Sequence, residues 1–146
     1  MNGNDMLRFI LSIVFIVSGI AKLYNIQNFA TEVALYGDYY VASWVVKWRM
    51  ELGIIVCLTE ISIGIFAFKT SFSFFVNCVF LLMLSLFLYL TGRNYFFPPL
   101  TGSIESCGCF GELIHFSPQM SFYKTLVLWG MALLNIGLII KRRSSN

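Results

Sequence analysis

Charge is what this sequence has least of. Only 12% of its 146 residues are Asp, Glu, Lys or Arg, whereas soluble domains carry about 25%. A surface solvated on every side is therefore excluded. The net charge of +3 is small and scattered, with no basic stripe, which argues against nucleic acid as a partner. Proline is confined to positions 98, 99 and 118, so none interrupts the apolar stretches described below. His115 is the single histidine, and a lone loop histidine is more often solvated than a ligand. Internal repeats, low-complexity tracts and quinone or haem motifs are all absent.

Apolar residues fill the space that charge leaves. They make up 58% of the chain, Phe alone contributes 15 residues, and mean hydropathy is +0.79. A helix spans a bilayer with about 17–25 residues, and four stretches reach that length: 7–23, 50–68, 72–92 and 122–140. The expected fold is an all-α integral membrane four-helix bundle, one domain over residues 1–146. The second and third stretches are separated only by Lys69-Thr70-Ser71, which requires a tight antiparallel hairpin. Gly19-Ile20-Ala21 has the small residues of a signal-peptide cleavage site. Lys22 follows at once, however, and Arg8 is offset by Asp5, so the first stretch reads as a retained span.

Four crossings put both termini on one side. Lys and Arg divide five against five between the two sides, so the contiguous Lys141-Arg142-Arg143 decides for a cytoplasmic tail. The expected location is a bacterial-type inner membrane, with both termini cytoplasmic and the loops 24–49 and 93–121 outside. In the first loop, Ile26, Phe29, Val33, Tyr40, Trp44 and Trp48 recur at helical spacing, and its Tyr and Trp residues favour the headgroup layer. Gly37 is expected to stop one short helix and Asp38 to cap the next. In the second loop, Pro98-Pro99 and Gly102 break from the third span, and Ser117-Pro118 supplies a cap and a first-turn proline for the fourth.

The second loop holds the run Ser106-Cys107-Gly108-Cys109-Phe110-Gly111-Glu112. Two thiols one residue apart can close a small, strained disulfide if their Cα atoms lie within about 4.4–6.8 Å, and Gly108 removes the side chain that would resist the bend. Strained, exposed bridges exchange readily. Thiol–disulfide exchange is the leading reading for Cys107 and Cys109. A permanent bridge removes little chain entropy in so short a ring. Metal capture with His115 as a third ligand lacks the two-pair spacing of structural zinc sites, so no metal is assigned. Glu105 and Glu112 would raise the thiol pKa values by repelling a thiolate. Cys57 and Cys78 lie on different spans at depths that differ by roughly 10 Å, and they read as small buried residues.

Glu60 stands near the middle of the second span. An ionisable group at that depth must be paired or neutral, and faces the bundle interior. Lys22 is a candidate partner, although its height matches Glu51 better and snorkelling to water is the easier course. Two readings stay open for Glu60: a structural polar lock, which Gly64 favours by letting a helix come close, and a proton-handling or quinone-adjacent role.

Four pieces in order now carry a resemblance. Ser18-Gly-Ile-Ala-Lys-Leu23 closes the first span and Glu60-Ile-Ser-Ile-Gly64 lies in the second. Cys107-Gly-Cys-Phe-Gly111 occupies the last outer loop, and the fourth span ends in basic residues. Together they resemble the MauE/DoxX-like membrane proteins, in particular the methylamine utilisation protein MauE family. The resemblance implies a four-helix membrane bundle of the vitamin K epoxide reductase type, and redox maturation of exported proteins beside a thioredoxin-like partner. It implies that Cys107 and Cys109 are the redox pair and that Lys22 and Glu60 are intramembrane polar positions. Where relatives open the fourth span with Arg-Asn, this chain has Lys124-Thr125, so a guanidinium fork is missing there. The expected function is a membrane thiol–disulfide oxidoreductase, or a redox subunit, acting on an extracytoplasmic thioredoxin-like or exported protein. A non-catalytic assembly scaffold and a metal-handling membrane protein are the alternatives. The electron acceptor is left open, with a quinone among the candidates.

Overall fold

Long proline-free apolar runs have one inexpensive way to satisfy their backbone groups away from water, which is helix. The structure is a computed structural model that describes residues 3–69, 73–98 and 117–145, and every regular element among those residues is helical. The elements are α1 (Gly3–Tyr24), α2 (Ile26–Tyr36), a π-helical turn (Gly37–Val41), α3 (Ser43–Lys47), α4 (Arg49–Phe66), α5 (Ser73–Phe96) and α6 (Pro118–Ser144). Asp5–Tyr24, Phe74–Phe96 and Pro118–Arg142, on α1, α5 and α6, are long and apolar enough to cross a membrane. The remaining expected span, 50–68, corresponds to α4, which has 18 residues and carries Arg49, Glu51 and Glu60.

Helix directions follow from the contacts. A Cβ on Gly19 would lie 2.9 Å from the Cys57 carbonyl oxygen and 2.7 Å from Ile61, and one on Gly64 would lie 3.0 Å from the Ser12 carbonyl and 2.5 Å from Ile16. The two glycines therefore let α1 and α4 pack backbone to backbone, antiparallel. On α5 and α6, Asn135 donates to Asn77, Trp129 Nε1 donates to Ser85 Oγ at 2.9 Å, and Tyr95 stacks on Phe122 at 5.7 Å. That pair is antiparallel too. α1 and α5 run parallel, because Phe15 meets Phe80 edge to face at 4.5 Å and Lys22 sits over Phe87. The core gathers Leu11, Phe15, Val76, Phe80, Leu84, Leu128 and Ala132. The outward faces show Phe75, Leu82, Val127 and Leu134, an apolar cover suited to lipid rather than water.

The connecting segment departs from expectation at Gly37. Its φ of −61° and ψ of −48° are right-handed helical, so it does not stop the helix. The chain runs on through the π-helical turn and breaks at the extended Ala42, which precedes α3 without any side-chain cap. Asp38 therefore caps nothing and sits within the turn. Gly37 is needed for space: a Cβ there would lie 2.5 Å from Val45 Cγ1. Tyr40 donates to the Phe97 carbonyl at 3.1 Å and lies under the Arg93 guanidinium, 5.7 Å from its ring centroid, which ties this segment to the end of α5. Burial pushes the Tyr40 hydroxyl up from its ordinary pKa against the pull of Arg93, so the phenol keeps the proton it donates. At α6, Ser117 accepts from the Met120 amide at 3.3 Å and Pro118 opens the first turn.

Candidate functional site: a buried ion pair under an apolar cavity

Ser18 and Lys22 are four residues apart on α1 and share one face. That face meets Glu60 on α4. Lys22 Nζ donates to Glu60 Oε1 at 2.6 Å, and Ser18 Oγ donates to Glu60 Oε2 at 3.1 Å. Both charged side chains are 1% exposed. The position of Lys22 corrects the expectation that it would snorkel. Helical side chains tilt toward the helix N-terminus, so the lysine stem runs back to the level of Gly19, where Glu60 lies. Its ammonium is 4.4 Å from the Phe87 ring centroid and 5.1 Å from that of Phe29, two π faces that stabilise a desolvated cation.

The pair is held in place by close packing. The virtual Cβ of Gly19 would also lie 3.3 Å from Glu60 Cβ, so any side chain at residue 19 wedges the carboxylate away. Cys57, one turn from Glu60 on α4, is fully buried, and both Cys57 and Cys78 are free thiols. Each Glu60 carboxylate oxygen has a donor, as a buried charge requires.

A cavity of about 220 Å³ opens above the pair. α2 contributes Phe29, Glu32 and Tyr36, α4 contributes Val56, and α5 contributes Phe87 and Leu90, with Lys22 on the wall. Thr125, from the Lys124-Thr125 dipeptide, also lines it and donates to the Ser121 carbonyl at 2.8 Å. The sequence reading missed Phe29, Phe87 and Glu32 as neighbours of Lys22, because only the fold brings α1, α2 and α5 together. Asn77 and Asn135 were also missed, although polar residues inside apolar runs carry the same signal that flagged Glu60. Cys107, Cys109 and His115 lie outside the described residues. Among the described residues no group of three His, Cys, Asp or Glu side chains is placed to hold a metal ion.

No solved structure matches the chain. Protein TlpB of Flavobacterium psychrophilum is 29% identical over 134 residues, a match covering 83% of this chain and 33% of that relative. The chain thus spans about a third of the length of that curated protein. The family model described as methylamine utilisation protein MauE matches residues 4–140. With its apolar helices and a match over nearly its whole length, the chain is a membrane protein belonging to the MauE family.

Proposed function

We propose that this protein is the membrane component of a thiol–disulfide exchange system, with Cys107 and Cys109 as the exchanging pair. The observation that carries the reading is the Cys-Gly-Cys sequence between two membrane-length helices of a MauE-family chain. In this reading one thiolate attacks a disulfide of an extracytoplasmic, thioredoxin-like or exported partner and forms a mixed disulfide. The second cysteine resolves it, leaving the partner as a dithiol and this chain oxidised; the reverse sequence oxidises the partner. Only one pair lies in that loop, and Cys57 is buried on another helix. The electrons therefore pass to or from another molecule.

A fourth crossing belongs to the same reading. What supports it is direction. α1 and α5 run parallel, so if both span, the chain between them returns across the membrane. α4 is the long helix in that interval and lies antiparallel to α1. At 1.5 Å per residue its 18 residues reach about 27 Å, close to the hydrocarbon thickness of about 30 Å. Arg49 and Glu51 sit at its mouth, and Lys22 neutralises Glu60. Four crossings put both termini on the side of the basic tail, taken as cytoplasmic, and the Cys107 loop outside. The vitamin K epoxide reductase-type bundle is the architecture this reading entails.

The test is capture of the partner. Cys107→Ser and Cys109→Ser each leave one thiol of the pair, and one of them should accumulate a reductant-sensitive adduct of higher mass that holds the partner protein. If neither variant traps an adduct and the partner's redox state is unchanged, the exchange reading fails. Partner maturation that survives loss of both thiols supports an assembly scaffold instead. Metal bound by the native chain and lost from both variants supports metal handling.

A further inference from the structure

The cavity of about 220 Å³ has an apolar interior and a cation beyond its rim. Three of the polar side chains on its wall direct their polar atoms into the protein: Lys22 to Glu60, Thr91 to the Phe87 carbonyl at 2.8 Å, and Thr125 to the Ser121 carbonyl. An occupant meets Phe29, Val33, Val45, Leu52, Val56 and Leu90 instead. Such walls attract hydrocarbon, and left unfilled they forfeit dispersion contacts. Glu32 on the same wall opposes any anionic head carried inside. Val41 and Leu86 at the rim are 56% and 46% exposed, so the opening faces the apolar layer that covers the outward helix faces.

Arg93 stands just past that opening. Leu86, Leu90 and Arg93 are spaced i, i+4 and i+7 on one face of α5, which puts Arg93 roughly 10 Å along the axis from Leu86. Arg93 is exposed. Its guanidinium lies 5.7 Å from the ring centroid of Tyr40, the neighbour of Val41, and 5.2 Å from that of Phe97. Aromatic faces steady a guanidinium, whose fork of N–H donors suits a phosphate. The position is close to the end of the membrane-length stretch Phe74–Phe96, the level at which a spanning helix meets lipid headgroups.

We propose that the cavity and Arg93 together form a site for one anionic phospholipid, with an acyl chain passing between Val41 and Leu86 into the cavity and the phosphate held by the Arg93 guanidinium. The lipid then joins α2 and the π-helical turn to α5 from the membrane side, where Tyr40 already joins them from within the protein. The site concerns binding alone and stands apart from the chemistry of Cys107 and Cys109.

Dioctanoyl-phosphatidylglycerol is a suitable probe, and dioctanoylglycerol has the same chains without the phosphate. With the purified full chain in detergent, the phospholipid should show saturable binding, and dioctanoylglycerol should bind at least about tenfold more weakly. Arg93→Gln should lower phospholipid affinity to that of dioctanoylglycerol and leave dioctanoylglycerol binding as it is, which shows the cavity intact. Lys69→Gln removes an equal charge past α4, at the opposite end of the antiparallel helices, and should leave both affinities unchanged. Val56→Trp, or the milder Leu90→Phe, fills the cavity and should abolish binding of both lipids while thermal unfolding shows the variant folded. Absence of saturable phospholipid binding to the native chain overturns the proposal. So does equal affinity for dioctanoylglycerol, unchanged binding in Arg93→Gln or in the folded cavity-filled variants, or displacement of the lipid by inorganic phosphate, which marks a free-anion site. A detergent-solubilised dimer that Leu86→Arg converts to monomers assigns the rim to a second copy of the chain and overturns it too.

Discussion

Glu60 accepts from Lys22 and Ser18 in a space that excludes water, so the energetics are those of a buried pair. Removing one member leaves the other charge without compensation, which costs about 3–5 kcal/mol. Glu60→Gln and Lys22→Met should each destabilise the fold by that amount, read as a lower midpoint of thermal unfolding in detergent. The double variant, whose groups are both neutral, should recover most of the loss. Single variants as stable as the native chain would mean that the pair contributes nothing to folding. The sequence pointed to Glu60 because a carboxylate amid apolar residues stands out. It misjudged Lys22 because counting residues from the membrane surface locates the Cα atom. The ammonium lies at the end of a long stem that tilts toward the helix N-terminus.

At the scale of elements, glycines separate into two kinds. Gly19 and Gly64 sit where α1 and α4 touch, with backbone or side-chain atoms under 3.0 Å from a virtual Cβ. Gly130 and Gly137 on α6 have nothing within 4 Å. Gly19→Val should therefore destabilise by roughly 1–3 kcal/mol through overpacking, while Gly130→Ala should stabilise by about 0.5–1 kcal/mol because alanine loses less backbone entropy in a helix. Opposite shifts in unfolding midpoint are the expected result, and shifts of the same sign would remove the close-contact account. Local signals were readable in the sequence: Ser117-Pro118 starts α6 because cap and first turn involve only adjacent residues. Gly37 misled because the position needs glycine for space beside Val45, a residue of the next helix, and not for a turn. No pattern within the segment Gly37–Val41 encodes that contact.

For the whole molecule, the open question is how many times the chain crosses, and the parallel course of α1 and α5 turns it into one measurement. The sequence marked the membrane helices by their apolar length, but α4 carries three charged residues, Arg49, Glu51 and Glu60. Its fitness to cross depends on the partner that Lys22 gives Glu60, a tertiary fact. Lys69 lies just past α4, after Ala67 and Phe68, and its amide donates to the Phe66 carbonyl at 3.0 Å. In a background whose native cysteines are serines, Lys69→Cys should resist a membrane-impermeant maleimide in intact cells and react after permeabilisation. A single cysteine restored at residue 107 should react in intact cells. Labelling of Lys69→Cys from outside would place both ends of α4 on the same side, and then α1 and α5 could not both span in the directions their contacts require. The four-crossing arrangement would fall, and with it the placement of the Cys107 loop on the oxidising side.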